Sequence, residues 1–221
     1  MNNEIAMIVS GAFFWIIIIT NFASNALGYQ TAGELDTEAQ LHEISNAPGK
    51  FRLSFVIIVI EHISIVVLAF SLFLAFNQLN IMLAIIWLIA RSLEGLMQIV
   101  NKKNYWQLLE LSTRFVNAQD TEKDALDNQR MSILKSKHAN FTLAQILFSI
   151  GTLSYTIVFA TYDVIPATIA GLGIVASLIY GAGNVLAVMK RESKALWAVG
   201  GLLILIFEVL AGGWLIYLAI T

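Results

Sequence analysis

Residues 53–100 read LSFVIIVIEHISIVVLAFSLFLAFNQLNIMLAIIWLIARSLEGLMQIV. Two apolar runs, about 53–76 and 79–100, are separated only by the polar break at Asn77-Gln78. About 20 apolar residues carry a helix across the ~30 Å hydrocarbon core, so this stretch predicts a transmembrane hairpin. The polar–apolar alternation of a barrel strand is absent. Glu61, His62, Arg91 and Glu94 all fall inside these runs.

Working outward, four more runs of spanning length lie at about 5–27, 139–162, 164–189 and 195–221. The fold class is therefore all-α: a polytopic integral membrane protein, one domain over 1–221. It is expected to be a bundle of six transmembrane helices with an amphipathic helix in the third-to-fourth loop, a polar stretch at 101–138. Composition agrees, since 58% of the 221 residues are hydrophobic and 13% are charged. A soluble domain would carry about twice that charged share. With no cysteine there is no disulfide and no thiolate metal site. A net charge of −2 provides no basic excess to hold phosphates, which excludes nucleic acid as a partner. The flank Met1-Asn2-Asn3-Glu4 lacks the positive n-region of a signal peptide, so the first span is read as retained.

Orientation follows from Lys and Arg in the loops. Lys50 and Arg52, seven residues between Lys102 and Lys137, and Lys190, Arg191 and Lys194 all fall on one side, 12 cations against none on the other. Arg91, the thirteenth, is inside the membrane. The larger loops are expected in the cytoplasm, with both termini outside.

In the first loop, Asp36 or Thr37 is placed to cap a short helix over 38–44, and Asn46-Ala47-Pro48-Gly49 to stop it. Glu38 and His42 sit one turn apart, but Asn46 stands where a zinc helix needs its second His, so a solvated helix is the plainer reading. In 101–138, Tyr105, Leu108, Leu109, Ser112, Phe115 and Val116 share one face beside Trp106. This helix either lies in the headgroup layer or extends the third span. The loop is also where a partner protein would dock.

Ionisable side chains at bilayer depth cost about 2.5–3.5 kcal/mol each even on the gentler insertion scale, which makes them the leading functional candidates. They are Arg91, Glu94, Glu208, Glu61 and His62. At 1.5 Å per residue, Glu61, Arg91 and Glu208 all fall near the midplane. Arg91 is expected to pair with Glu94 or Glu208, leaving a further carboxyl protonated. Such a cluster is either a structural ion pair that sets helix register or the lining of a polar pocket. Asn21, Gln145 and Asn184 could bond across helices or line a cavity, and the glycine pairs at 171/173, 181/183, 200/201 and 212/213 permit close helix approach.

No span contains Lys for a Schiff base, and P-loop, dinucleotide and intact zinc motifs are absent. No cofactor or metal is expected, and the balance leans away from an enzyme. The expected function is binding or carrying a small molecule or ion at the Arg/Glu cluster. The alternative is a non-catalytic accessory or sensor subunit that meets a partner through 101–138.

Phe51-Arg52-Leu53-Ser54-Phe55, Arg91-Ser92-Leu93-Glu94, Pro166 after its turn, and Phe207-Glu208 followed by Trp214-Leu215 are similar to the prokaryotic six-helix membrane family called domain of unknown function 4386. The resemblance covers nearly the whole chain and implies six helices in the plasma membrane. Family members place basic residues in the second-to-third turn and after the proline. Here those positions hold Asn77-Gln78-Leu79-Asn80 and Pro166-Ala167. Members with that pattern would have cytoplasmic termini, opposite to the orientation that this chain's own charges imply.

Overall fold

A computed structural model describes residues 3–27, 38–191 and 193–221. Seven helices follow one another: α1 (Asn3–Ala26), α2 (Glu38–Asn46), α3 (Pro48–Phe76), α4 (Ile81–Val116), α5 (Asp120–Thr161), α6 (Ala167–Val188) and α7 (Lys194–Ile220). All but α2 are long and apolar enough to cross a membrane.

Local chemistry sets the ends. The Asn80 side chain accepts a hydrogen bond from the Leu83 amide and so caps α4. Pro48 occupies the first turn of α3, where its missing N–H would have no helical partner anyway. The sequence reading makes this proline a stop and starts the second span at 53. The structure makes it a start, and Gly49 and Lys50 are helical. The tight turns after α5 and α6 place Asp163 (φ 51°) and Lys190 (φ 59°) in the left-handed region. The amides that follow, Val164 and Arg191, bond back to Phe159 and Leu186, which satisfies carbonyls at the helix ends.

The six long helices form a closed ring in chain order. Each of α1, α3, α4, α5, α6 and α7 packs on its sequence neighbour, and α7 closes on α1; no pair across the ring has its backbones in contact among the described residues. The axis of the ring must then be filled by side chains or be hollow, and the two ends differ. Towards the end holding the α3–α4 turn, Phe14, Trp87, Tyr155, Phe159 and Phe207 are all fully buried. Tyr155 stacks on Phe207 at 6.2 Å and meets Phe14 edge-on at 6.1 Å. This aromatic layer plugs the axis.

Ring closure depends on one close approach. A Cβ on Gly11 would lie 2.5 Å from the carbonyl oxygen of Gly212, so α1 and α7 touch backbone to backbone there. Trp15 adds a hydrogen bond from Nε1 to the Val209 carbonyl at 3.2 Å.

The opposite end carries the basic loops. There α4 and α5, with 36 and 42 residues, continue past the membrane. At 1.5 Å per residue they are about 54 and 63 Å long, against a core of ~30 Å. Of the two readings of the amphipathic helix in 101–138, the structure selects the extension of the third span: α4 runs on to Val116, and after a short turn most of the remaining stretch is the start of α5. The apolar face does not lie on headgroups. Leu108, Leu111 and Phe115 pack against Leu41 of α2 and Leu126 and Ile133 of α5. Tyr105 and Leu109 pack with Ile44, Phe51 and Ile58. Val116, assigned to the same face, is exposed, while Trp106 meets Phe55 edge-on at 5.4 Å. The predicted short helix is present as α2, but its capping residues Asp36 and Thr37 lie outside the described residues. His42 lies edge-on to Phe115 at 6.1 Å.

Phe115 is therefore the keystone of the extension, 1% exposed. Phe115→Ala is expected to cost about 3–5 kcal/mol locally. Limited proteolysis of detergent-solubilised protein should show faster cutting within 101–138 while the membrane-spanning fragments stay intact; an unchanged cleavage rate would contradict this packing.

Candidate functional site

On α4, Arg91, Glu94, Gln98 and Lys102 recur every three or four residues and so lie on one face. That face turns inward, and all four side chains are buried. The ring places opposite them Glu61 and His62 of α3, Glu208 of α7, Asn21 of α1, Gln145 and Phe148 of α5, and Tyr180 of α6. Together they line one cavity of about 500 Å³. Its walls include Ile17, Ile65, Phe141 and Ile204. The size and the mix of apolar walls with a few polar groups suit an organic molecule. The cavity lies on the basic-end side of the aromatic plug, so it is blind towards the other end.

All five ionisable residues singled out from the sequence meet in this cavity. Arg91 Nη1 lies 2.7 Å from Glu94 Oε2, an ion pair along one turn of α4. The contact is out of line for a hydrogen bond, and Arg91 Nε and Nη1 have none. The guanidinium also sits over the Phe148 ring, 4.4 Å from its centre. A Cβ on Gly151 would lie 2.6 Å from Arg91 Cγ, so only glycine lets α5 close over the arginine stem.

Glu61 accepts from Asn21 Nδ2 at 3.3 and 3.4 Å, with His62 Nδ1 3.9 Å from its Oε1. Among the described residues, both ring nitrogens of His62 are buried without a hydrogen bond, as is Glu208 Oε1. Of the two pairings expected for Arg91, the structure selects Glu94. Glu208 is left with no cation in ion-pair contact among the described residues. Gln145 accepts from the Tyr180 hydroxyl at 3.0 Å, whereas Asn184 bonds back to the Tyr180 carbonyl and does not line the cavity.

The sequence reading missed Gln98, Lys102, Phe148 and Tyr180. Ending the third span at Val100, as hydropathy suggests, puts Lys102 in the loop. Extending the Arg91–Glu94–Gln98 stripe by one more turn reaches Lys102 directly. Its ammonium and that of Lys137 both sit over Tyr105, 4.6 and 4.4 Å from the ring centre. Among the described residues, no three His, Asp or Glu side chains converge into a metal cage.

A closed ring of six membrane-spanning helices around a blind, charged cavity defines a polytopic helical membrane protein with an internal polar site. The chain belongs to the family described as domain of unknown function (DUF4386), which matches residues 9–218. No curated protein and no solved structure matches it.

Proposed function

We propose that this protein binds a small organic molecule in the cavity between its helices, with Arg91, Glu94, Glu208, Glu61 and His62 as the polar groups that recognise it. The supporting observation is the set of buried polar atoms around one cavity that hold no hydrogen bond among the described residues: Arg91 Nε, both His62 nitrogens and Glu208 Oε1. A buried polar group without a partner costs about 1–3 kcal/mol, a cost that a bound molecule with matching donors and acceptors removes. A purely structural ion pair needs no space beside it. Here the pair borders about 500 Å³ of cavity. The blind end favours binding, or carriage that requires the aromatic layer to move, over an open channel. Docking of a partner on 101–138 is less favoured, because the apolar face of that segment is already covered by α2 and α5.

The charge asymmetry of the loops supports placing the basic end in the cytoplasm, and the resemblance to the prokaryotic six-helix family supports the plasma membrane. The cavity would then face the cytoplasmic side.

Native mass spectrometry of protein extracted in a mild neutral detergent tests the reading. The wild type is expected to retain a small mass, and Glu208→Gln to lose it while melting at a similar temperature. A wild type that carries no adduct, with or without added membrane extract, overturns the proposal.

A further inference from the structure

The cavity wall is not equally closed on all sides. Among its lining residues, the exposed ones are Phe22 on α1 and Trp197, Ala198 and Leu202 on α7. Those on α3, α4, α5 and α6 are buried or half-buried. The same two helices are in backbone contact at Gly11 and Gly212, on the far side of the plug. So α1 and α7 meet near one end of the ring and leave the cavity exposed between them towards the basic end. Phe22 and Leu202, each 58% exposed, flank this gap with apolar side chains at membrane depth. A gap bordered by such residues opens to lipid rather than to water.

The charges facing the cavity are unequal as well. Arg91 is turned to Glu94 and the Phe148 ring. Lys102 lies within electrostatic reach of Glu61. Glu208, 6% exposed and within electrostatic reach of Arg91, faces the cavity with no hydrogen bond on Oε1 among the described residues. An ammonium carries three N–H donors and no acceptor. Glu208 Oε1 and an unprotonated nitrogen of His62 are acceptors without a donor on the wall of the same cavity, while the donors without a hydrogen bond, Arg91 Nε and Nη1, are held beside Glu94 and over the Phe148 ring.

Building on the pocket reading above, we infer that the ligand is a single-chain cationic amphiphile: its ammonium head lies against Glu208, and its alkyl tail leaves between α1 and α7 into the lipid at the basic end. The head needs a counter-charge in a low-dielectric site, which Glu208 supplies by ionising beside the ammonium as it binds. The tail needs an apolar path that never leaves the bilayer, which Phe22 and Leu202 flank.

The test measures retention of dodecylamine, dodecyl sulfate and butylamine by native mass spectrometry in a neutral maltoside. It compares wild type, Arg91→Gln, Glu208→Gln and Leu202→Trp, each checked for helicity and monodispersity. Dodecylamine should bind the wild type with one copy per chain, at least tenfold more tightly than butylamine. Glu208→Gln, which keeps the shape and loses the charge, should weaken it at least tenfold. Leu202→Trp, which fills the gap and leaves the head site intact, should weaken dodecylamine but not butylamine. Preferential retention of dodecyl sulfate, lost in Arg91→Gln, would overturn the cationic head and leave the pocket reading standing. Equal binding of butylamine and dodecylamine would overturn the lipid-side gap and again leave the pocket standing. Retention of none of the three by a wild type that still carries its own adduct would overturn this ligand class alone.

Discussion

Arg91→Gln is expected to lose about 3–5 kcal/mol of stability, because it leaves a buried carboxylate without its cation. Arg91 is 1% exposed and Glu94 is 2% exposed, so water cannot compensate. The neighbouring acids make the deficit worse, since Glu61 and Glu208 line the same cavity. The double variant Arg91→Gln/Glu94→Gln should recover more than half of the loss. Both charges are then gone; Gln matches Glu in shape but is shorter than Arg, so the part of the loss that remains is lost packing. Thermal or denaturant unfolding in detergent reads both values in a double-mutant cycle. Strictly additive losses would mean that the 2.7 Å contact contributes nothing. The same cycle separates two roles of the arginine: coupling to Glu94 measures the structural pair, and the difference in ligand retention between Glu94→Gln and the double variant isolates the binding role.

The second large effect is expected at the seam that closes the ring. Gly11→Leu puts a branched side chain where even a Cβ would lie 2.5 Å from the Gly212 carbonyl oxygen and 2.6 Å from Ile216 Cγ1. The carbonyl belongs to the backbone of α7 and cannot rotate away, so the helices must separate. Overpacking in a tight core costs about 1–3 kcal/mol and occasionally more. Here the loss should lie at the top of that range or beyond it, because separation also breaks the Trp15–Val209 hydrogen bond and uncovers the aromatic plug. Gly171→Leu is the matched control, since a Cβ there meets nothing within 4 Å. It should fold with near-wild-type yield and melting temperature. Equal behaviour of the two variants would show that α1 and α7 do not close the ring in this way.

These two residues also show how differently the two levels of structure could be read. Arg91 announced itself in the sequence: a charge at bilayer depth is costly, and its i,i+3 neighbour Glu94 offers a local remedy that helix geometry guarantees. Gly11 gave no comparable signal. A glycine in an apolar run is compatible with a lipid-facing position or a tight seam, and only the partner helix distinguishes them. The glycines at 173, 183, 200 and 212 do lie at close helix contacts, while Gly171 of the same pattern faces open space. Spacing alone could not separate these cases.

The order of the six spans, their helical character and the charge asymmetry of the ends were determined by the sequence itself. The hydrocarbon core demands about 20 apolar residues per crossing, and the backbone must satisfy its own hydrogen bonds there. The five ionisable candidates were legible for the same reason: an apolar solvent makes every charge conspicuous. What only the tertiary structure decided depends on which helix meets which. It made a ring of the six helices, gave Glu94 rather than Glu208 to Arg91, brought Lys102 and Tyr180 into the cavity, and packed one face of 101–138, as extensions of α4 and α5, against α2 and each other. Hydropathy cannot tell an apolar face that meets lipid from one that meets another helix, because both surroundings are equally apolar. The choice between them is made by packing, and packing is settled only when the whole ring closes.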